Sequence, residues 1–172
     1  SEGGIDNVTD EQVTENVSEY IENLTLGKKL YTRDQLNLVE DTEENIFNYR
    51  DEIRRLFRTY PIATSDIELL LQGLEDPDSN KGRLRASAQK YQEYLTQLEL
   101  VKTPYIIGAR HTQLMNNVSQ IGAALTNLTS DESDDLISFS ISVQIEKILN
   151  QTSEAVVKIN EFFEIVDEVE VF

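Results

Sequence analysis

Apolar residues recur at steps of four and three through the last quarter of the chain. Ile141, Ile145, Ile148, Thr152, Ala155, Ile159, Phe162, Val166 and Val169 follow this spacing, with polar residues filling most of the gaps. The step places one apolar stripe along one side of a long helix. Earlier segments repeat it. Residues 9–26 predict a helix with Val13, Val17, Tyr20, Ile21 and Leu24 inward, and Gly27 is a fitting stop. A second helix opens with Thr32 or Asp34 as cap and turns Leu36, Val39, Ile46, Tyr49, Ile53, Leu56, Phe57 and Tyr60 inward. It ends at Pro61, which lacks the N–H that a continuing helix needs.

A short helix is predicted over residues 65–74. Residues 75–82 then read as the clearest loop, because every residue type in them favours turns. A fourth helix carries Leu84, Ala88, Tyr91, Leu95 and Leu98 at 4-3 steps. A fifth takes Thr103 as cap and Pro104 as its first residue, with Ile107, His111, Leu114, Val118, Ile121, Leu125 and Leu128 inward. Residues 131–135 read as a turn and an acid-rich first turn for the last helix. Ile137, Phe139, Ile141, Val143 and Ile145 also alternate with strand period, but no partner strand is visible, so helix is the better reading. The predicted fold is all-α: an up-down amphipathic bundle of five or six helices with a long C-terminal helix. Residues 1–8 read as a flexible linker and residues 9–172 as one helical domain.

Length supports this, since 172 residues bury a sizeable core without disulfides or metals. Cysteine is absent, which removes disulfides, thiolate nucleophiles and thiolate metal sites. The net charge of -17 sits at the two ends: residues 1–26 hold seven acids and no base, and residues 111–172 hold eleven acids and two bases. Such a field repels phosphates and anionic lipid, so nucleic acid is not an expected partner. No run of apolar residues is long enough to span a bilayer. Ser1-Glu2-Gly3-Gly4 reads as a linker or trimmed end, so membrane contact is expected only through a removed anchor.

Candidate chemistry is sparse. His111 is the single histidine and falls on an apolar stripe, where a hydrogen-bonded core residue is a plainer reading than a base or ligand; a junction role, with the ring on a backbone carbonyl of a neighbouring helix, is the variant of that reading. Asp76, Asp78 and Asn80 have the alternating oxygens that open a calcium loop. Lys81 replaces the required glycine, however, and Ser87 replaces the bidentate Glu, so a solvated turn fits better. Arg50, Arg54, Arg55 and Arg58 cluster at the end of the second helix, with Lys81, Arg83 and Arg85 at the start of the fourth. Their expected partners are acids of this same chain. Paired carboxylates such as Glu43-Glu44 lack the two Glu-x-x-His elements of di-iron bundles, and no hydrolase, zinc-protease or nucleotide-binding motif occurs. No enzyme and no cofactor are expected. Asn-x-Ser/Thr triplets begin at Asn7, Asn16, Asn23, Asn117, Asn127 and Asn150. The surface is rich in uncharged polar residues, a composition more common outside the cytoplasm.

Pro104, His111, Leu114, Met115 and Asn116 form a P-x6-H-x2-L-M-N pattern behind a helix with Tyr91, Tyr94 and Leu98. The pattern resembles a group of uncharacterised secreted or membrane-anchored helical proteins of candidate-phylum bacteria. The resemblance implies an extracytoplasmic helical domain with His111 and Asn116 as recurring structural positions, and no reaction.

The functional expectation is therefore a non-enzymatic extracytoplasmic helical domain that binds protein or forms part of the cell envelope. The alternative is a ligand-sensing bundle of a membrane receptor, with a pocket between helices lined by Tyr91, Tyr94, His111 and Arg110. The last helix could also pair with its copy in a homo-oligomer.

Overall fold

The computed structural model describes residues 30–62, 64–129 and 135–169. The helix predicted over residues 9–26, the linker over 1–8 and most of the 131–135 turn lie outside the described residues. Five α-helices are described: α1 (Glu43–Thr59), α2 (Thr64–Glu75), α3 (Pro77–Leu100), α4 (Gly108–Leu128) and α5 (Asp135–Val169). The architecture is the predicted all-α bundle with a long C-terminal helix.

Pro61 breaks what would otherwise be one helix, and α1 and α2 run in succession along α3. The Tyr60 and Tyr94 rings stack with centroids 5.3 Å apart. Further along, Lys90 Nζ donates to the Pro61 carbonyl at 3.1 Å, and Ser87 Oγ donates to Asp66 Oδ1 at 3.1 Å. At the far end a Cβ on Gly73 would lie 2.9 Å from the Leu84 methyls, so glycine permits the close approach of α2 to α3. As residue numbers rise from 60 to 73 their partners fall from 94 to 84, so the corner and α2 run antiparallel to α3. Helices α4 and α5 complete the up-down order, with Arg110 Nη1 donating to the Lys158 carbonyl at 3.0 Å. α1 meets α4 through Tyr49 on His111 and α5 through Arg50 and Arg54 on Asp167.

The stripes are the core. Tyr49, Ile53 and Leu56 of α1 and Leu84, Tyr91 and Leu98 of α3 are buried, as are Ile107, Leu114, Val118, Ile121, Leu125 and Leu128 of the fifth predicted segment. On α5, Ile141, Ile145, Ile148, Thr152, Ala155, Ile159 and Val166 are buried, but Phe163 takes the deep place expected for Phe162. That four-residue step after Ile159 keeps the stripe near about 3.6 residues per turn, so α5 needs no supercoil to stay in contact. The side chain of Val169 lies outside the described residues. Residues 138–145 belong to α5, so the alternating pattern there is helical.

Three expectations need correction. First, Thr32 and Asp34 do not start the second helix. Arg33–Gln35 is a single 3-10 turn, and α1 begins after Thr42, whose side chain accepts from the Asn45 N–H at 3.2 Å. Second, residues 75–82 are not a loop. Asp76 caps α3 by accepting from the Ser79 N–H at 3.1 Å, and Pro77 fills the first helical position. Turn-favouring residues are also the residues that start helices, because a capping oxygen and a missing N–H suit both places. Third, Thr103 and Pro104 do not open the fifth helix. They lie in strand β2 (Lys102–Pro104), which pairs in parallel with β1 (Asn37–Val39), Leu38 opposite Thr103. A 3-10 turn over Tyr105–Ile107 then leads into α4.

Candidate functional site

The break at Pro61 leaves a gap that α5 does not fill. Phe57 and Tyr60 at the end of α1, Pro61 and Ile62 at the corner and Ile67 of α2 form one wall. The other wall is α5, through Leu149, Val156 and Val157 with Thr152, Ser153 and Asn160. The cleft has a volume of about 520 Å³. It exists for two reasons. The corner turns the chain without contributing a helical row of side chains, and the α5 residues opposite it are mostly short. Val157 is half exposed at its edge. No Asp, Glu, His, Lys or Arg lies in the lining, whose polar groups are the Tyr60, Thr152 and Ser153 hydroxyls and the Asn160 amide.

The site residues named from sequence lie elsewhere. Tyr91, Tyr94 and His111 are each 1% exposed and belong to the core. The expected pocket of Tyr91, Tyr94, His111 and Arg110 is thus a packed interior with Arg110 turned to the backbone of α5, and none of the four lines the cleft. His111 Nε2 lies 3.0 Å from the Leu98 carbonyl, which can only accept, so Nε2 carries the proton. Its Nδ1 then accepts the Tyr49 hydroxyl at 3.2 Å. Burial pushes the imidazole pKa down to about 4, only partly opposed by the carbonyl bond, so the ring is neutral at neutral pH. The ring therefore ties α1, the end of α3 and α4 together.

Two other buried polar atoms have no hydrogen-bond partner among the described residues: the Tyr94 hydroxyl and Asn117 Nδ2. Asn116 is engaged differently. Its amide accepts from the Tyr31 N–H at 2.6 Å and donates to the Tyr31 carbonyl at 3.1 Å, mimicking one residue of a strand. Tyr31 also donates its hydroxyl to Glu99 on α3, so the incoming chain is fixed over the α3–α4 side.

A second polar hub centres on Asp66. Its carboxylate accepts from Ser87 Oγ, from Tyr91 OH at 3.1 Å and from Lys90 Nζ at 2.6 Å, so it clamps the first turn of α2 to α3. Arg50 Nη1 and Arg54 Nη2 each reach Asp167 at 2.7 Å, which answers the expectation that α1 arginines meet acids of this chain. Hydrogen bonding from Arg54, then from Arg50, holds the Asp167 carboxyl below its usual range.

The calcium reading of Asp76, Asp78 and Asn80 does not survive. The three positions lie at the cap and first turns of α3, where alternate residues point to different sides rather than to one centre. Asp76 is committed to the Ser79 N–H, and Asn80 presents its amide as donor to the Asp76 and Gln72 carbonyls. Among the described residues no group of three or more His, Asp or Glu could hold a metal. Of the glycosylation triplets, Asn117 is buried, Asn127 half-buried and Asn150 exposed, while Asn7, Asn16 and Asn23 lie outside the described residues.

Sequence reasoning placed Phe57 and Tyr60 inward but missed the cleft that they wall. The available signal was Leu149 and Val156, apolar residues beside the α5 stripe that widen it opposite Pro61. No protein-family model matches the chain, and neither the curated proteins nor the solved structures supply a match.

Proposed function

We propose that this chain is a non-enzymatic helical binding domain that works outside the cytoplasm, secreted or membrane-tethered, and receives a protein partner in the cleft between Pro61 and α5. The lining of the cleft carries this reading: apolar side chains with a few hydroxyls and one amide, and no carboxylate, imidazole, ammonium or guanidinium. Apolar concavities of this kind take up the side chains of a partner and exclude water. The compartment rests on the cysteine-free, uncharged-polar surface and on the resemblance of the Pro104–Asn116 pattern to anchored helical proteins. Among the described residues no helix is long and apolar enough to cross a membrane.

A photo-crosslinking residue at Val157, compared with one at Gln92 on the exposed face of α3, tests the binding reading in the producing cells. A discrete adduct from position 157 alone supports it. Equal adducts from both positions, or none, refute it. Fractionation of the same cells tests the compartment. A second reading, a ligand-sensing bundle, gains from the cavity size, because 520 Å³ falls within the roughly 300–1,000 Å³ usual for small-molecule sites. A low-mass compound co-purifying with the protein and displaced by Ser153→Trp would favour it.

A further inference from the structure

We infer that the occupant of the cleft is a basic amphipathic helix of a partner protein, about three turns long, with its apolar face in the cleft and its Lys or Arg residues over the rim. The inference rests on the reading of the cleft as the binding site and adds the shape and charge of what enters it.

Length comes from α5. The wall runs from Leu149 to Asn160, eleven residue steps or about 16 Å of helix axis. A partner helix laid along it presents apolar residues at i, i+3, i+4 and i+7 over that distance.

Charge decides among occupants. Glu161 and Glu164 are exposed on α5 beside the cleft residues Val157 and Asn160, and Glu68 is exposed beside Ile67. None of these three carboxylates has an ion-pair partner among the described residues. Of the two cations nearby one is paired with an acid, and Arg58 keeps its charge against three carboxylates. Lys158 is held by Glu154, and Arg58 Nε turns back to the Arg54 carbonyl at 3.2 Å. The rim is therefore negative within a chain of net charge -17. A second copy docked through its own α5 would bring the same acidic helix against it, at a repulsive cost. The chain's own N-terminal stretch fits no better, because residues 1–26 carry seven acids and no base. A basic helix meets both the apolar lining and the negative rim.

The test uses the full chain and two fluorescent probe peptides of about 14 residues, roughly four helical turns. Both carry leucines at the spacing above. One has lysines at the remaining positions and the other has glutamates. In fluorescence anisotropy the lysine peptide is expected to bind at least about tenfold more tightly than the glutamate peptide, and to weaken as salt rises from about 0.05 to about 0.5 M. Ser153→Trp, which fills the cleft without changing charge, is expected to weaken the lysine peptide by about tenfold, whereas Val143→Ser, outside the cleft, leaves it unchanged. The paired change Glu161→Lys, Glu164→Lys should narrow or reverse the preference between peptides. If both peptides bind equally and Ser153→Trp blocks both, the cleft is a binding site but the charge assignment is wrong. If Ser153→Trp affects neither, the binding reading itself fails. A dimer formed by the chain alone, blocked by Ser153→Trp, would make the occupant a second copy and overturn the inference.

Discussion

The broken helix α1–α2 has two seams, and they are built differently. Against α3 it is fastened at intervals by directional contacts: the Tyr60–Tyr94 stack, Lys90 on the Pro61 carbonyl, and the Asp66 hub. Against α5 it is fastened near one end, by Arg50 and Arg54 on Asp167, and left open at the corner. Apart from the Tyr94 hydroxyl, the buried polar groups of the first seam are hydrogen-bonded across it, which holds the seam in one arrangement. The second presents apolar walls with nothing between them. Rigidity on one side of Pro61 is what lets an open cleft persist on the other without collapse of the bundle.

The sharpest way to break the contrast is Asp66→Ala. It strands the Lys90 ammonium and the Tyr91 and Ser87 hydroxyls, and urea unfolding should show a loss of about 3 kcal/mol. Acid should act on the fastened side through His111. The folded ring has its pKa lowered from 6.5 to about 4, so the unfolded state binds more protons between those values. The contribution is fully present above pH 6.5 and is lost as pH falls toward 4, at up to about 1.4 kcal/mol per pH unit. Unfolding curves across that window should be steeper in pH for the wild type than for His111→Gln. Next come two tyrosines of the same interior. Tyr49→Phe leaves His111 Nδ1 without its donor and should cost about 1–2 kcal/mol, whereas Tyr94→Phe removes a hydroxyl with no partner and should be neutral or stabilising. On the other seam Asp167→Asn should give a smaller loss, absent above about 0.5 M salt because the pairs are partly exposed. Val157→Ser, at the cleft edge, should change stability by less than about 0.5 kcal/mol. A large loss there would show that the cleft wall is part of the core.

Much of the bundle was legible because burial repeats with the helical period. Tyr49, Ile53, Leu84, Tyr91, Leu114, Ile121, Ile141 and Ile159 were all placed inward from spacing, and all are buried. The ends of elements were harder to read. Asp76 and Pro77 serve a turn or a helix start equally well, and Thr103 and Pro104 serve a helix start or an extended strand. The β1–β2 pair joins residues 65 positions apart, Leu38 to Thr103, and no local pattern announces such a partner. The site was least legible. Tyr91, Tyr94 and His111 drew notice as polar residues on stripes, but polar residues on stripes are as suited to closing a core as to lining a pocket.

By itself the sequence determined the class of fold, the inward faces of α1, α3, α4 and most of α5 and the position of the break at Pro61, since all three follow from local periodicity and from a missing N–H. Only the tertiary structure decided what passes opposite that break. Residues 149–160 of α5 reach the Pro61 corner because α4 and α5 run antiparallel over a set length, a relation between segments some ninety residues apart. The cleft arises from that distant juxtaposition of short α5 side chains with an interrupted helix, and no single stretch of chain contains it.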